Sequence, residues 1–99
     1  MQKHWILEQF YALADQNNWH DHHTPKNLAC AISVESAELL ELFQWQAEES
    51  AQSLTEQQKL AVGDELSDVL MYCLVLADKL DIDIEDAIKR KIHLNQAKA

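Results

Sequence analysis

The sequence predicts an all-α protein of four helices. Its 99 residues include one Gly and one Pro, too few turn residues for a sheet of many short strands. Apolar residues recur at helical spacing, and residues that favour helix starts precede three of the apolar segments. We therefore expect a single helical domain over residues 1–99. Because so short a chain buries only a modest core, we also expect dimerisation to complete the four-helix arrangement.

Two helices are predicted in the first half of the chain. The first covers residues 3–16 and is followed by a loop that is rich in His and Asp. It carries an apolar stripe formed by Trp5, Ile6, Phe10, Leu13 and Ala14. Trp5 is expected in the core or at an interface. Thr24 and Pro25 then fit the N-cap and first position of a second helix, predicted over residues 25–47.

Two further helices are predicted in the second half. Thr55, with Gln58 three residues later, fits a capping box that starts the third helix. Gly63 within this helix is expected to mark the close approach of a neighbouring helix. Residues 69–77 are apolar on all sides, so more than one surface must cover them, and a partner subunit is the expected cover. Asp83 is predicted to cap the fourth helix, which carries the basic segment of the chain.

The charge balance narrows the class of partners. Eight basic and 17 acidic residues give a formal net charge of −9, which argues against binding to a nucleic-acid polymer or to an anionic membrane surface. No apolar run is long enough to cross a bilayer as a helix, and residues 1–9 do not resemble a signal peptide. We therefore expect a cytoplasmic protein in which Cys30 and Cys73 are reduced and buried.

Two acidic pairs of equal spacing are the main candidates for a functional site. Glu35 and Glu38 fall on the second helix, and Glu65 and Asp68 fall on the third. Residues three apart share a helix face, and an antiparallel hairpin could bring the two pairs face to face. Four carboxylates on apolar surfaces repel one another and lose hydration, so they need a counter-charge. Mg²⁺ is the expected ion, because it prefers carboxylate oxygens and retains water ligands.

The acidic pairs stand within longer segments that resemble a known family. The segments are His23-Thr-Pro-Lys-Asn-Leu, Val34-Glu-Ser-Ala-Glu-Leu-Leu-Glu-Leu-Phe-Gln-Trp45, Asp64-Glu-Leu-Ser-Asp-Val-Leu-Met-Tyr72 and Lys91-Ile-His-Leu-Asn95-Gln-Ala-Lys98. Together they are similar to the MazG-like nucleotide pyrophosphohydrolases, and most of all to their short single-domain branch, which includes the dCTP pyrophosphatases. The family signature is E-x-x-E, a spacer and E-x-x-D, and this sequence has all four acids in that order.

The resemblance implies an all-α fold that pairs as a homodimer, often as a dimer of dimers. It implies hydrolysis of nucleoside triphosphates, usually deoxy, to the monophosphate and pyrophosphate, as house-cleaning of the nucleotide pool and with dCTP as the preferred substrate. By motif position, Glu35, Glu38, Glu65 and Asp68 would bind Mg²⁺, with Mn²⁺ as a substitute. Glu38 is expected to orient or deprotonate the attacking water.

Substrate contacts are expected from three parts of the chain. Lys91 and Lys98 would contact phosphates as point charges, and Asn95 would hydrogen-bond phosphate or sugar. Stacking or hydrogen bonds to the base or sugar are expected from Trp19, His23, Asn27 and Trp45. Tyr72 shares the helix face of Asp68, where its ring would leave little room for a 2′-hydroxyl.

Other interpretations of the acidic pairs stay open. The protein could be a non-catalytic helical interaction module whose acids form a solvated surface. It could also be an enzyme of the same fold that acts on a different pyrophosphate substrate. A di-iron site is not expected, because no His has a Glu three positions before it. A zinc site is not expected either, because His20, His22 and His23 lack a second cluster of ligands.

Overall fold

The computed structural model describes residues 1–44 and 54–98, and the regular elements in these ranges are helical. They are Lys3–Asn17 (α1), a 3-10 turn at His20–His22, Pro25–Glu41 (α2), Glu56–Lys79 (α3) and Ile84–Lys98 (α4). The predicted all-α fold with four helices is confirmed. None of the described helices combines the length and apolar character needed to span a membrane.

The residues predicted to cap the helices are in place. Thr24 Oγ1 accepts a hydrogen bond from the backbone N–H of Asn27 at 3.2 Å. Thr55 and Gln58 form a reciprocal capping box, with N···O distances of 3.1 and 2.7 Å. Asp83 Oδ1 accepts from the backbone N–H three residues on, at 3.1 Å. Each cap satisfies an N–H that has no partner within its helix, which stabilises the helix by about 1 kcal/mol.

The second helix is shorter than predicted. It ends at Glu41, whereas the sequence predicted helix to residue 47. Beyond that point the backbone N–H groups of Leu42 and Phe43 bond the carbonyls three residues before them, at 3.2 and 3.0 Å. This tightening into a turn closes the helix. Residues 45–53, which include Trp45 and the predicted loop before α3, lie outside the described residues.

The core forms where three of the four helices meet. α2 packs along α3, α1 contacts α3 over a shorter stretch, and α4 makes only marginal contact with the other helices. The buried apolar residues are Ala14, Leu28, Leu74, Val75 and Ala77. The apolar segment 69–77 is therefore covered mainly at its C-terminal end, and α4 contributes no buried residue.

Two expectations are not met: the full burial of both cysteines, and the close approach of another helix to Gly63. Cys30 is an exposed free thiol, not a buried one, because it lies on an outer position of α2. Cys73 is half-buried and free, and its burial raises the pKa of its thiol. A Cβ added at Gly63 would meet no atom of the described residues within 4 Å. No described helix of the same chain therefore approaches Gly63 as was expected.

Candidate active site

Three carboxylates from α2 and α3 converge at one point. One carboxylate oxygen from each of Glu35, Glu38 and Glu65 lies within 4.8 Å of the other two. The spacing of three residues places Glu35 and Glu38 on one face of α2, and the packing of α2 on α3 brings Glu65 opposite them. Asp68 is not part of this trio, but its charge acts on both Glu35 and Glu65. It therefore lies beside the trio; we call the four residues the acidic cluster.

The acidic cluster fits a divalent cation. Oxygens that bind Mg²⁺ at about 2.1 Å lie up to about 4.2 Å apart, so small side-chain adjustments would bring this trio around one ion. Glu35 Oε2 and Glu65 Oε2 are buried, and no hydrogen-bond partner for either oxygen is present among the described residues. Buried carboxylate oxygens are costly without a partner. A cation held between α2 and α3 would supply that partner.

The electrostatics of the acidic cluster favour protonation when no cation is bound. Burial raises the pKa of Glu35 from 4.5 to about 7, and its hydrogen bond with Glu38 and the charges of its three acidic neighbours act in the same direction. The pKa of Glu65 is also raised, first by burial and then by the charge of Glu38. A cation would compete with these protons, because it stabilises the ionised carboxylates.

An apolar cavity adjoins the acidic cluster. Its volume is about 620 Å³, within the range of small-molecule sites. Asp68 and Tyr72 contribute to its wall on the side of α3. The other lining residues are Met1, Trp5, Ile6, Gln9, Phe10, Leu13, Trp19, Ser67, Leu70, Met71 and Leu74. The cavity thus lies between α1 and α3, and Asp68 belongs both to its wall and to the acidic cluster.

Aromatic rings gather where the cavity meets the acidic cluster. The ring of Phe10 lies edge-on to that of Tyr72, with centroids 5.7 Å apart, and tilts against His23 at 5.2 Å. His23 in turn meets the ring of Trp19 at 6.2 Å. The pKa of the Tyr72 hydroxyl is raised by burial and by the charges of Glu35 and Asp68. Tyr72 therefore lies within electrostatic range of the acids while it lines the cavity.

The residues predicted to contact the base are placed differently from one another. Trp19 lines the cavity, and His23 packs against the aromatic rings beside it. The side-chain amide of Asn27 donates to the backbone carbonyl of His22 at 2.9 Å, which ties the 3-10 turn to the start of α2. The side-chain amide of Asn27 is therefore already hydrogen-bonded within the protein. Trp45 lies outside the described residues.

The residues predicted to contact phosphate all lie on α4. Lys91, Asn95 and Lys98 are exposed, and no described hydrogen bond or ion pair joins them to the acidic cluster. A described tie between α4 and another helix is the ion pair of Lys3 Nζ with Glu85 Oε1, at 2.8 Å. The structure thus does not bring these three side chains to the carboxylates within one chain.

The part that α1 plays in the site was not predicted. Helical spacing in the sequence places Phe10 and Leu13 on an apolar stripe, and in the structure that stripe forms one wall of the cavity. Trp5, expected in the core or at an interface, lines the same cavity and remains 57% exposed. Two large aromatic residues on one short helical stripe were the available signal. Helical periodicity alone cannot distinguish a core from a cavity wall.

A helical hairpin that presents paired carboxylates beside an apolar cavity defines a class of small-molecule site, and sequence comparison identifies the family. The profile of the MazG-like family matches residues 30–99, a range that contains all four acids of the cluster. The chain belongs to the MazG-like family.

Curated relatives and a solved structure agree with this assignment. The chain is 38% identical over 85 residues to dCTP pyrophosphatase 1 of Rattus norvegicus, and 36% identical over 85 residues to that of Homo sapiens. Each alignment covers 84% of this chain and 50% of the relative, so the chain spans about half the length of these relatives. A crystal structure of a pyrophosphatase from Archaeoglobus fulgidus DSM 4304 superposes with a TM-score of 0.85 at 40% identity, covering 99% of this chain and 92% of that one.

Proposed function

We propose that the chain is a Mg²⁺-dependent nucleoside triphosphate pyrophosphohydrolase, which converts its substrate to a monophosphate and pyrophosphate. The observation that carries the proposal is the continuity between the acidic cluster and the cavity. Asp68 belongs to both, and Tyr72 lines the cavity within reach of the charges of Glu35 and Asp68. A triphosphate bound through a cation at the carboxylates would therefore have its base and sugar directed into the cavity.

The names of the relatives support a choice of substrate. The mammalian relatives are called dCTP pyrophosphatase 1, and the archaeal structure is called a pyrophosphatase. We accordingly assign dCTP as the preferred substrate and the removal of unwanted nucleotides from the cytoplasmic pool as the role. The ring of Tyr72 beside the sugar would disfavour a 2′-hydroxyl, which accounts for a preference for deoxynucleotides.

The four acids divide the work of the reaction between them. A bound divalent cation would neutralise charge on the phosphate oxygens and on the departing pyrophosphate. Glu35 and Glu65, whose buried oxygens need a partner, would hold it together with Asp68 and Glu38. Glu38 would also orient the water that attacks the α-phosphorus and accept its proton. Mn²⁺ would substitute for Mg²⁺, because both accept carboxylate and water oxygens.

The cavity offers the base a set of ring faces and edges. Trp19 and His23 together with Tyr72 would enclose a planar base, and Phe10 extends that wall from α1. Asn27, which is held by its bond to the turn, would contribute from the start of α2. Burial of a flat heterocycle against such rings is favourable for any base. The cavity alone therefore supports a nucleotide, and the choice of cytosine rests on the relatives.

We further propose that the working form is a homodimer or a dimer of dimers. The radius of gyration is 16.1 Å, whereas a compact chain of this length has a value of about 13 Å. Leu40 and Leu60 are 67% and 70% exposed, and many other large apolar side chains are also exposed. A second copy would cover these surfaces. It would also provide contacts for α4. We keep the prediction that Lys91, Asn95 and Lys98 of α4 contact phosphate.

Pyrophosphate release is the direct test of this function. The protein would be assayed with dCTP, dATP, dTTP and dUTP, and with CTP as the ribose counterpart, each with Mg²⁺ and with a chelator. We expect release from dCTP at the highest kcat/KM, a lower value for CTP, and no release without a divalent ion. Release from none of these substrates would reject the proposal and favour the non-catalytic module or a different pyrophosphate substrate.

A pair of matched variants tests the acidic cluster. Glu38→Gln should lower kcat by about 10²-fold to 10⁴-fold, the usual contribution of a general base, while the helical circular dichroism is unchanged. Glu41→Gln is the control, because Glu41 lies one turn further along α2 and outside the converging trio. It should keep kcat and KM within about twofold of the wild type. Retained turnover in Glu38→Gln would reject the role proposed for Glu38.

A further inference from the structure

A hydrogen bond joins α1 to the far end of α3. The hydroxyl of Tyr11 donates to Asp78 Oδ2 at 2.6 Å, although the two residues are 67 positions apart in the chain. Lys79 Nζ lies 5.6 Å from the centroid of the same ring, in the range of a cation–π interaction. Tyr11 is thus contacted by two consecutive residues of the last turn of α3.

This bond adds a polar contact to the short packing contact between α1 and α3. The cavity occupies the space between the two helices, so direct contact between them is confined to a short stretch. The bond is charge-assisted and short at 2.6 Å, and it lies at the surface of the protein. Another described polar tie of α1, the Lys3–Glu85 pair, leads to α4 and not to α3. The Tyr11–Asp78 bond therefore sets the distance between α1 and the C-terminal end of α3.

Phe10 is next to Tyr11 in the chain, so the position of Tyr11 affects the wall of the cavity. Phe10 lines the cavity and meets Tyr72 edge to face, and it also lies edge-on to Tyr11 with centroids 6.2 Å apart. A shift of Tyr11 away from Asp78 would move the backbone of α1 and withdraw Phe10 from Tyr72. The outer wall of the cavity is therefore set by a bond that lies outside the cavity.

We propose that Tyr11 and Asp78 are positioning residues for the apolar cavity: their hydrogen bond sets the separation of α1 and α3, and with it the affinity for the base of the substrate. The inference rests on the proposed function in so far as the ligand is a nucleotide. Neither residue lines the apolar cavity, and neither belongs to the acidic cluster. The pair should therefore influence substrate binding and leave the chemical step unaffected.

The test separates binding from chemistry. Tyr11→Phe keeps the ring and removes the donor, and Asp78→Ala removes the acceptor. Each should raise KM for dCTP by about threefold to tenfold, the scale of one charged hydrogen bond partly replaced by water, with kcat within about twofold. The double variant should be no worse than either single variant, because both changes break the same bond. Asp78→Asn, which keeps an acceptor, should restore most of the affinity.

A matched control lies on α1 itself. Glu8 pairs with His4 of the same helix at 2.7 Å and makes no described contact with α3. Glu8→Gln therefore removes the charge from an exposed polar contact on α1 without loosening α1 from α3, and it should leave KM within about twofold. An unchanged KM in Tyr11→Phe, a loss confined to kcat, or additive effects in the double variant would overturn the proposal.

Two measurements keep the inference testable if the protein does not hydrolyse nucleotides. Hydrogen exchange of the α1 amides should be faster in Tyr11→Phe than in Glu8→Gln, because α1 opens more readily. The dye 8-anilinonaphthalene-1-sulfonate, used as an apolar probe of the cavity, should bind Tyr11→Phe about threefold more weakly than the wild type. Unchanged exchange and dye binding would overturn the positioning role, whereas absence of hydrolysis by the wild type alone would overturn only the proposed function.

Discussion

The rings of Phe10 and Tyr72 meet edge to face, with centroids 5.7 Å apart and planes inclined at 76°. One residue belongs to α1 and the other to α3, so the contact closes the space between these helices near Asp68. Such a contact presents ring faces and edges to a ligand at fixed angles. It makes α1 part of the proposed substrate site, although α1 carries no residue of the acidic cluster.

Phe10→Leu tests this contribution. Leucine keeps most of the apolar volume but loses the ring, whose contacts with Tyr72 and a stacked base amount to about 0.5–1.5 kcal/mol. We expect KM for dCTP to rise by about threefold to tenfold, with kcat unchanged because Phe10 belongs to the cavity wall and not to the acidic cluster. Steady-state kinetics check this. Phe43→Leu is the control, because it changes the same residue type at a position that does not line the cavity. Equal KM values in both variants would contradict the assignment.

Local features of the chain are predictable from sequence to the extent that they depend on neighbouring residues. The caps at Thr24 and Thr55 need only a side chain and a backbone N–H three residues apart, and the structure has both. The convergence of Glu65 on α2 follows from helix spacing and a hairpin. The role of Phe10 and the exposure of Cys30 depend instead on how far apart the helices pack, which periodicity does not encode.

The raised pKa of Glu35 predicts an unusual dependence of stability on pH. In the unfolded chain this carboxyl titrates near 4.5, and in the folded chain near 7. The folded state therefore binds the proton more tightly, and that contribution to stability is complete below pH 4.5 and is lost as the pH rises through 7. We expect the melting temperature of the metal-free protein to fall over this range.

Divalent metal should reverse this loss. Because a cation needs ionised carboxylates, Mg²⁺ should raise the melting temperature more at pH 8 than at pH 5.5. Glu35→Gln should flatten the pH dependence of the metal-free protein and reduce its stabilisation by Mg²⁺. Thermal scans with chelator or with Mg²⁺ at the two pH values measure both effects. A shift by Mg²⁺ that is equal at both pH values, or larger at pH 5.5, would contradict the assigned cluster.

The end of α3 offers a test of backbone conformation. Asp81 has φ of 54°, in the left-handed region, and the N–H groups of Asp81 and Ile82 bond the carbonyls of Asp78 and Ala77 at 3.2 and 2.8 Å. This is the pattern of a Schellman motif, where Gly is favoured. The Asp81 carboxylate also lies at the negative end of the helix dipole.

Asp81→Gly should therefore stabilise the protein. Relief of the left-handed conformation and of the unfavourable charge should add about 1 kcal/mol to the free energy of unfolding, measured by denaturant titration. Asp81→Ala is the matched control, because it removes the same charge but keeps a Cβ. We expect Asp81→Gly to be the more stable of the two by about 1 kcal/mol. If Asp81→Ala were equally stable, the backbone conformation would carry no cost.

The face of α3 that carries Leu60 and Gly63 is the surface on which we expect a second copy of the chain to pack. The two residues lie three apart and so share a face of α3. Leu60 is 70% exposed, and a Cβ at Gly63 would meet nothing in the described chain. In a monomer, Gly63→Ala should stabilise α3 by about 1 kcal/mol, because Ala has the higher helix propensity. If a helix of a second copy lies against Gly63, the added methyl should instead weaken the assembly.

We expect the second outcome. Light scattering after size exclusion should give a dimer or tetramer for the wild type, and Leu60→Glu should shift it to a smaller species, because a charge cannot be buried unpaired at an interface. Leu60→Met is the control, because it keeps an apolar side chain of similar volume at the same position, and it should leave the mass unchanged. Gly63→Ala should lower the melting temperature most at low protein concentration, where dissociation is favoured. A monomeric wild type, or a Gly63→Ala variant that is more stable at every concentration, would show that this face of α3 is free in solution.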